Sequence, residues 1–163
     1  MLKPSTGQAC QTPRSRAESS LCSTRHAEIL PAMAEDKVEI AERLGDIWTT
    51  ADWAQAEQHF WPDTEAQAPE GWPEAESSKG WPAMQQQFER LKEAWAEDRW
   101  EIASTETVDE DTVLQHGHWR GHGRESGLEL DLETWIIYRF RDGKVSRMEF
   151  YIDRGQAMTA AGL

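Results

Sequence analysis

The spacing of hydrophobic positions changes once along the chain, from a helical period to a strand period. Before residue 98, apolar residues recur three or four positions apart in two stretches, which predicts two amphipathic helices. The first helix is predicted over residues 35–49. The second starts at Pro82, a residue favoured in the first turn of a helix. Its apolar stripe consists of Met84, Phe88, Leu91 and Trp95.

The segment between these two helices carries weaker signals. Asp52 has the side chain of a helix N-cap, and it predicts a short helix over residues 53–61 that ends before Pro62. Residues 62–81 have no regular period, although a short strand is predicted near residues 64–68.

After Asp98 the hydrophobic period is two, which predicts four strands. Their expected ranges are residues 99–108, 111–123, 127–140 and 144–152. Asp142-Gly143 is the signal of a tight hairpin between the last two strands. Asp153 is a predicted cap for a short helix at the end of the chain.

Helices followed by an antiparallel sheet predict an α+β fold, in which a curved antiparallel sheet wraps around three N-terminal helices. Such a sheet forms a cone with a cavity between sheet and helices. On the last strand Met148 and Phe150 share one apolar face, which we expect to line that cavity. The other face of the sheet needs cover, so a homodimer through Trp135, Ile137 and Tyr151 is expected.

Composition narrows the class of protein. The 163 residues carry a net charge of −13, which argues against binding to nucleic acid or to an anionic membrane surface. Residues 1–32 have four basic and two acidic side chains, no apolar period and both cysteines. This segment is interpreted as a disordered tail, with a transit peptide or an upstream misread start as alternatives. Residues 33–163 form the expected domain. Without cysteines there, the simplest compartment is the cytoplasm.

Several motifs resemble those of SnoaL-like domains in the nuclear transport factor 2-like superfamily. Arg141–Lys144 ("RDGK") is similar to the family's last hairpin, and Tyr151–Arg154 ("YIDR") to the end of its last strand. The stretches "GHGRESGLELDLETW", "PEGWPEA" and "KGWPAM" resemble other parts of the family pattern. The resemblance covers residues 36–163 and implies the cone-shaped fold described above. It leaves activity open, because the superfamily includes isomerases, cyclases, dehydratases, epoxide hydrolases and binding modules.

The same resemblance implies that the loop containing the two Gly-Trp-Pro motifs lies at the mouth of the pocket. Trp72 and Trp81 are then predicted to face a ligand, together with Phe88 of the third helix. The alternative is that both rings close the open end of the cone without contacting a ligand.

No catalytic arrangement of a known relative can be transferred to this chain. The sequence contains no Arg-x-Asp pair of the limonene epoxide hydrolase type, and its first helix has no tyrosine of the ketosteroid isomerase type. On residues alone, His118 and Arg120 are the catalytic candidates, with His118 as acid or base and Arg120 binding an oxyanion. The strand period leaves open which face of residues 111–123 points into the cavity: His116, His118, Arg120 and His122, which we favour, or Gln115, Gly117, Trp119 and Gly121. The first set would place His118 or Arg120 at the polar end of the cavity. Glu133 on the next strand is their predicted partner. The alternatives are a solvated or dimer-facing polar stripe and, less favoured, a metal site. No metal or cofactor is expected.

Two hypotheses on function remain. The chain is either a cofactor-free proton-transfer enzyme acting on a small hydrophobic metabolite, or a ligand-binding or dimeric accessory module without turnover. An ionisable group deep in an apolar cavity would favour the enzyme, whereas a wholly apolar lining would favour binding.

Overall fold

The structure is a computed structural model, and it describes residues 37–72 and 77–163. The predicted tail, residues 1–32, lies outside the described residues. The first helix, α1, covers residues 37–50. Four elements lie between α1 and the long strands of the second half. They are α2 (Trp53–Glu57), β1 (Phe60–Gln67), β2 (Ser78–Lys79) and α3 (Trp81–Ala94).

The four predicted strands of the second half are confirmed. They are β3 (Trp95–Asp109), β4 (Thr112–Gly123), β5 (Glu129–Arg141) and β6 (Lys144–Tyr151), and the helix α4 (Arg154–Ala161) follows them. Both central residues of the last hairpin have positive φ, 48° at Asp142 and 78° at Gly143, as a tight two-residue hairpin turn requires. None of the helices in the two described ranges is long and apolar enough to cross a membrane.

The six strands form one curved sheet in the order β2-β1-β6-β5-β4-β3. The α+β class is confirmed, but the sheet is not antiparallel throughout, because β1 pairs with β6 in parallel. A helix and four further strands separate β1 from β6 along the chain. No hairpin turn therefore sets the direction of this pair.

Two local predictions were wrong at element ends. The second helix stops at Glu57 because β1 already begins at Phe60, whose ring stacks on that of Trp81 with 5.0 Å between centroids. The third helix stops at Ala94. Trp95 has the extended backbone of β3 (φ −116°, ψ 145°) and pairs with Gly123 of β4, so it does not continue the helical stripe.

The sheet has an inner face, which carries α1, α2 and α3, and an outer face, which carries α4. The inner face holds the larger core, built on buried residues such as Ala41, Met84 and Tyr138. The outer core consists of Leu114, Trp135 and Ile137 of the sheet packed against Ala157 and Ala161 of α4.

The outer core changes the basis of the homodimer prediction. Trp135 and Ile137 were expected to need a partner chain, but α4 of the same chain packs on them, and they are only 6% and 0% exposed. The homodimer stays a prediction, and it no longer follows from these two residues.

A buried glutamine links the inner face of the sheet to the first helix. The Gln115 side chain is fully buried, and its Oε1 accepts hydrogen bonds from Trp100 Nε1 (3.0 Å) and the Tyr138 hydroxyl (3.2 Å). Its Nε2 donates to the carbonyl oxygen of Ala41 (3.1 Å) and to Thr105 Oγ1 (3.3 Å). One side chain thus joins α1, β3, β4 and β5, and a buried polar group that is fully hydrogen-bonded fixes its neighbours in place.

We expect Gln115→Leu to lower the free energy of unfolding by about 2–4 kcal/mol, because the four polar groups bonded to its side chain lose those bonds. Tyr138→Phe is the matched control. It removes one donor and leaves Gln115 bound to Trp100, so a loss of about 1 kcal/mol is expected. Urea denaturation followed by circular dichroism measures both. Equal losses in the two variants would contradict the role of Gln115 as the shared acceptor.

Candidate functional site

The inner face of the sheet and the three helices enclose a cavity of about 130 Å³. Its lining is almost entirely apolar, and nine of the lining side chains are aromatic. They are Trp48, Trp53, Phe60, Trp72, Phe88, Trp100, Trp119, Tyr138 and Phe150. Among the described lining residues there is no carboxylate and no imidazole. The cavity therefore presents mainly ring faces and aliphatic groups to whatever occupies it, and its non-aromatic polar side chains are Gln87 and Thr134.

The aromatic rings support one another through edge-to-face contacts. Trp48 is central, with its ring centroid 5.3 Å from that of Phe88, 5.8 Å from that of Trp119 and 5.9 Å from that of Trp53. Trp72, from the loop after β1, tilts toward Trp119 at 6.2 Å. Such pairs contribute about 0.5–1.5 kcal/mol each beyond the area they bury, so the wall is held in shape before any ligand enters.

A buried carboxylate behind this wall binds the polar atoms of two of its indoles. Asp98, at the start of β3, is 6% exposed, and its Oδ2 accepts from Trp48 Nε1 (3.1 Å) and Trp119 Nε1 (2.9 Å). Its Oδ1 lies 2.8 Å from Lys92 Nζ of α3. The Lys92 ammonium also sits over the Trp48 ring, 5.4 Å from its centroid. The carboxylate is thus paired and hydrogen-bonded, as a buried charge must be.

Gln115 binds two further lining side chains in the same way, through Trp100 Nε1 and the Tyr138 hydroxyl. Burial raises the pKa of Tyr138. A neutral phenol whose hydrogen is donated to Gln115 is not a base, so Tyr138 gives the cavity no proton acceptor at neutral pH.

The comparisons with known proteins agree with this architecture. The family model of the SnoaL-like domain matches residues 41–148, more than half of the chain. The chain belongs to the SnoaL-like domain family. No functionally curated protein is similar enough in sequence to count as a match.

Solved structures similar to this SnoaL-like domain include three that differ in how they are described. An NTF2-like protein from Burkholderia thailandensis E264 is 22% identical with a TM-score of 0.65, and the match covers 75% of this chain and 96% of that one. A putative SnoaL-like polyketide cyclase from Jannaschia sp. CCS1 is 20% identical with a TM-score of 0.65, covering 78% and 92%. TerC, co-crystallised with polyporic acid, is 18% identical with a TM-score of 0.64, covering 78% and 99%. At these identities the likeness shows the fold alone.

Four of the five predicted ligand-binding residues lie in the wall of the cavity: Trp72, Phe88, Met148 and Phe150. Trp81 does not line it. Its side chain is 4% exposed, because its ring stacks on Phe60 of β1 in the core at the first residue of α3. The two Gly-Trp-Pro tryptophans therefore differ, since only Trp72 is at the cavity. Pro73 and the three residues after it lie outside the described residues.

The three predicted catalytic residues do not line the cavity. His118, Arg120 and Glu133 point to the outer face, whereas Trp119 of the same strand points inward. The expected pairing also differs in detail. His118 Nδ1 lies 2.8 Å from Asp131, and Glu133 lies 2.9 Å from His116 Nε2. The expectation that His118 or Arg120 forms the polar end of the cavity is corrected. The inward set of β4 is Gln115, Gly117 and Trp119.

The reason for this orientation lies in the neighbouring strand. A Cβ built on Gly117 would be 2.3 Å from the carbonyl oxygen of Glu101 and 2.9 Å from the Trp100 ring. Only glycine lets β3 and its indole approach this closely, so position 117 must face Trp100 and the cavity. His116 and His118 on either side then face outward.

Asp98 is the site residue that sequence reasoning missed, and Gln115 was considered for the inward face only as part of the less favoured set. Each is polar and stands in a strand with weak alternation, where a polar residue is ordinarily assigned to solvent. The available signal was the number of tryptophans, because buried indole N–H groups require acceptors.

We expect Asp98→Asn to lower the free energy of unfolding by about 2–3 kcal/mol, because Lys92 is left without its buried counter-charge. In a double-mutant cycle with Lys92→Met, the double variant should lose less stability than the sum of the two single losses, by more than about 1 kcal/mol. The exposed helical pair Glu39 and Arg43, 2.7 Å apart, is the matched control, with an expected coupling of about 0.5 kcal/mol or less. Equal couplings in the two cycles would contradict a special role for Asp98.

Proposed function

We propose that this SnoaL-like domain binds a small, uncharged, flat hydrophobic molecule in the aromatic cavity. The observation that carries the proposal is the chemistry of the wall. Four of its polar atoms, on Trp48, Trp100, Trp119 and Tyr138, donate to Asp98 or Gln115, away from the cavity. What remains for a ligand is mainly ring and aliphatic surface, with Gln87 and Thr134 as the non-aromatic polar side chains of the lining, and such a surface favours apolar and aromatic molecules.

Size supports a ligand of one or two rings. An apolar cavity of about 150 Å³ is known to hold benzene, and the cavity here is of similar volume. It is not closed, because Ile152, 41% exposed, is among its lining residues. A second ring or a short substituent could project past Ile152 and Trp72.

Charge supports a neutral ligand. The Lys92 ammonium lies over the Trp48 ring of the wall, and it is bound to Asp98 at 2.8 Å. No arginine or lysine is among the described lining residues, and the chain carries a net charge of −13. An anionic group inside the cavity would therefore lose its hydration without gaining a counter-charge.

Cofactor-free proton transfer is the second candidate. It is favoured by structural neighbours described as putative polyketide cyclases. Against it stands the lining, which among the described residues offers no carboxylate or imidazole as acid or base. The apolar wall therefore favours binding over turnover. A homodimer and a cytoplasmic location remain part of the proposal.

The neutral two-ring compound 2-naphthol is a suitable test ligand in isothermal titration calorimetry. We expect saturable binding to one site per chain. Trp72→Ala should weaken it about three- to tenfold, the equivalent of one aromatic contact. Ala68→Phe should abolish binding, because the added ring fills part of the cavity that Ala68 lines.

Trp61→Ala is the matched control. Trp61 packs against Arg141, 4.7 Å from its guanidinium, and it does not line the cavity. Its removal should leave the affinity for 2-naphthol within twofold. The proposal would be overturned by the absence of saturable binding, or by a larger effect of Trp61→Ala than of Trp72→Ala.

A further inference from the structure

The outer face of the sheet carries a cluster of side chains that the proposed function does not use. It consists of His116 and His118 on β4 with Glu133 opposite them on β5, and we name it the outer histidine cluster. One potential ligand atom from each of the three residues lies within 4.8 Å of the other two. We propose that the outer histidine cluster is a binding site for one divalent transition-metal ion of the Zn²⁺ type.

The ligand set matches the chemistry of such ions. Two imidazole nitrogens and one carboxylate oxygen are ligands that Zn²⁺ takes at about 2.0–2.2 Å, with a water in the fourth position. Ligand atoms around a tetrahedral ion at these bond lengths are about 3.3 Å apart. His116 Nε2 and Glu133 Oε1 are 2.9 Å apart. A shift of a few tenths of an ångström would therefore let an ion replace the proton that these two atoms share. The ligand atom of His118, which lies within 4.8 Å of the other two, would have to move up to about 1.5 Å closer, a distance that side-chain rotation can supply.

The His118 ring is oriented by a carboxylate, as the ring of a metal-binding histidine usually is. Its Nδ1 lies 2.8 Å from Asp131 Oδ1. An aspartate side chain is a carboxylate at neutral pH, and a carboxylate can only accept a hydrogen bond. Nδ1 therefore carries the proton, and Nε2 is left with its lone pair for an ion. A carboxylate behind the imidazole is the usual outer-shell partner of a ligating histidine.

The cluster stands on a rigid base. The His116 ring stacks on that of Trp135, with 4.8 Å between centroids and 11° between planes. Trp135 is itself buried under α4. Both ligand-bearing strands are interior strands of the sheet, paired on either side. The ligands are therefore preorganised, while their own side chains remain open to solvent, at 27% for His116 and 52% for Glu133.

The surrounding charges permit a cation. Arg120, next on the same face of β4, is positively charged, and it is paired with Glu101 (2.9 Å) and with Asp131 (3.4 Å). Its charge is thus compensated by two carboxylates. The chain as a whole is strongly acidic, which raises the local concentration of cations.

The test is a calorimetric titration of the full chain with Zn²⁺ at pH 7. All proteins carry Cys10→Ser and Cys22→Ser, since free thiolates bind zinc. We expect one ion per chain with a micromolar dissociation constant. His118→Ala and Glu133→Gln should each weaken binding at least tenfold. Asp131→Asn, which removes only the outer-shell carboxylate, should weaken it about tenfold or more.

His122→Ala is the matched control, because His122 follows on the same strand face but lies outside the outer histidine cluster. It should change the dissociation constant less than twofold. Circular dichroism of each variant distinguishes the loss of a metal ligand from the loss of the fold. If His118→Ala does not fold, Glu133→Gln alone tests the role of the ligands. Absence of binding tighter than about 1 mM, or equal weakening by His122→Ala and His118→Ala, would overturn the proposal. The outcome is independent of 2-naphthol binding, which concerns the opposite face of the sheet.

Discussion

The shape of the inner cavity depends on the carboxylate of Asp98, which binds two indoles and an ammonium from behind the wall. An indole carries one N–H that must be satisfied when the ring is buried. If Trp48 and Trp119 turned these groups toward the cavity, the lining would be polar and would hold water. Because Asp98 accepts both bonds at 2.9 and 3.1 Å, the rings turn their apolar surfaces inward. Gln115 accepts the corresponding hydrogen bonds from Trp100 and Tyr138.

Asp98 can take this position only because the sheet bends beside it. The pairing of β3 with β4 shifts register between Ala96 and Arg99, which places Asp98 in an irregular part of the strand. There its Cα would lie 3.0 Å from a Cβ on Gly121 of β4, so the absence of that atom is a condition for the approach. Irregular pairing of this kind bends a strand and increases its twist. The curvature that opens the cavity and the acceptor that makes it apolar thus have one local origin.

Most of the fold could be predicted from the sequence, because its signals are local. The stripe of α3, the strand period after Asp98, the Asp142-Gly143 turn and the caps at Asp52 and Asp153 each depend on neighbours along the chain. Both caps accept the expected bond, at 3.1 Å from Gln55 N and 2.8 Å from Gln156 N. The orientation of β4 could not be predicted in this way. Gly117 and Gly121 add no hydrophobic signal to their face of the strand. A glutamine such as the buried Gln115 is ordinarily assigned to a solvent-exposed face.

The position of α4 explains a second failure of sequence reasoning. In the second half of β5 both faces are apolar, with Ile136 and Tyr138 inward and Trp135 and Ile137 outward. Alternation cannot distinguish the faces of such a strand. The simplest interpretation was that the outward residues of β5 are uncovered, and the homodimer was predicted in order to cover them. The short helix at the end of the chain removes that need, since Ala157 and Ala161 let it pack closely on the outward residues.

The period of two also explains how one strand can contribute side chains both to the apolar inner face and to the polar outer face of the sheet. Along β4, the buried Gln115 and Trp119 alternate with the half-exposed His116 and His118. The inward side chains pack among the rings and hydrogen-bond to groups of the inner core, such as Asp98, whereas the outward ones interact with carboxylates of β5 across 2.8–2.9 Å. The two sets share a backbone but no side-chain contact among the described bonds. Chemistry on the outer face can therefore differ from one sequence to another without disturbing the apolar wall, provided that Gly117 stays a glycine. By the same argument, the identity of a ligand in the cavity has to be sought in the rings of the inner face and in the acceptors behind them.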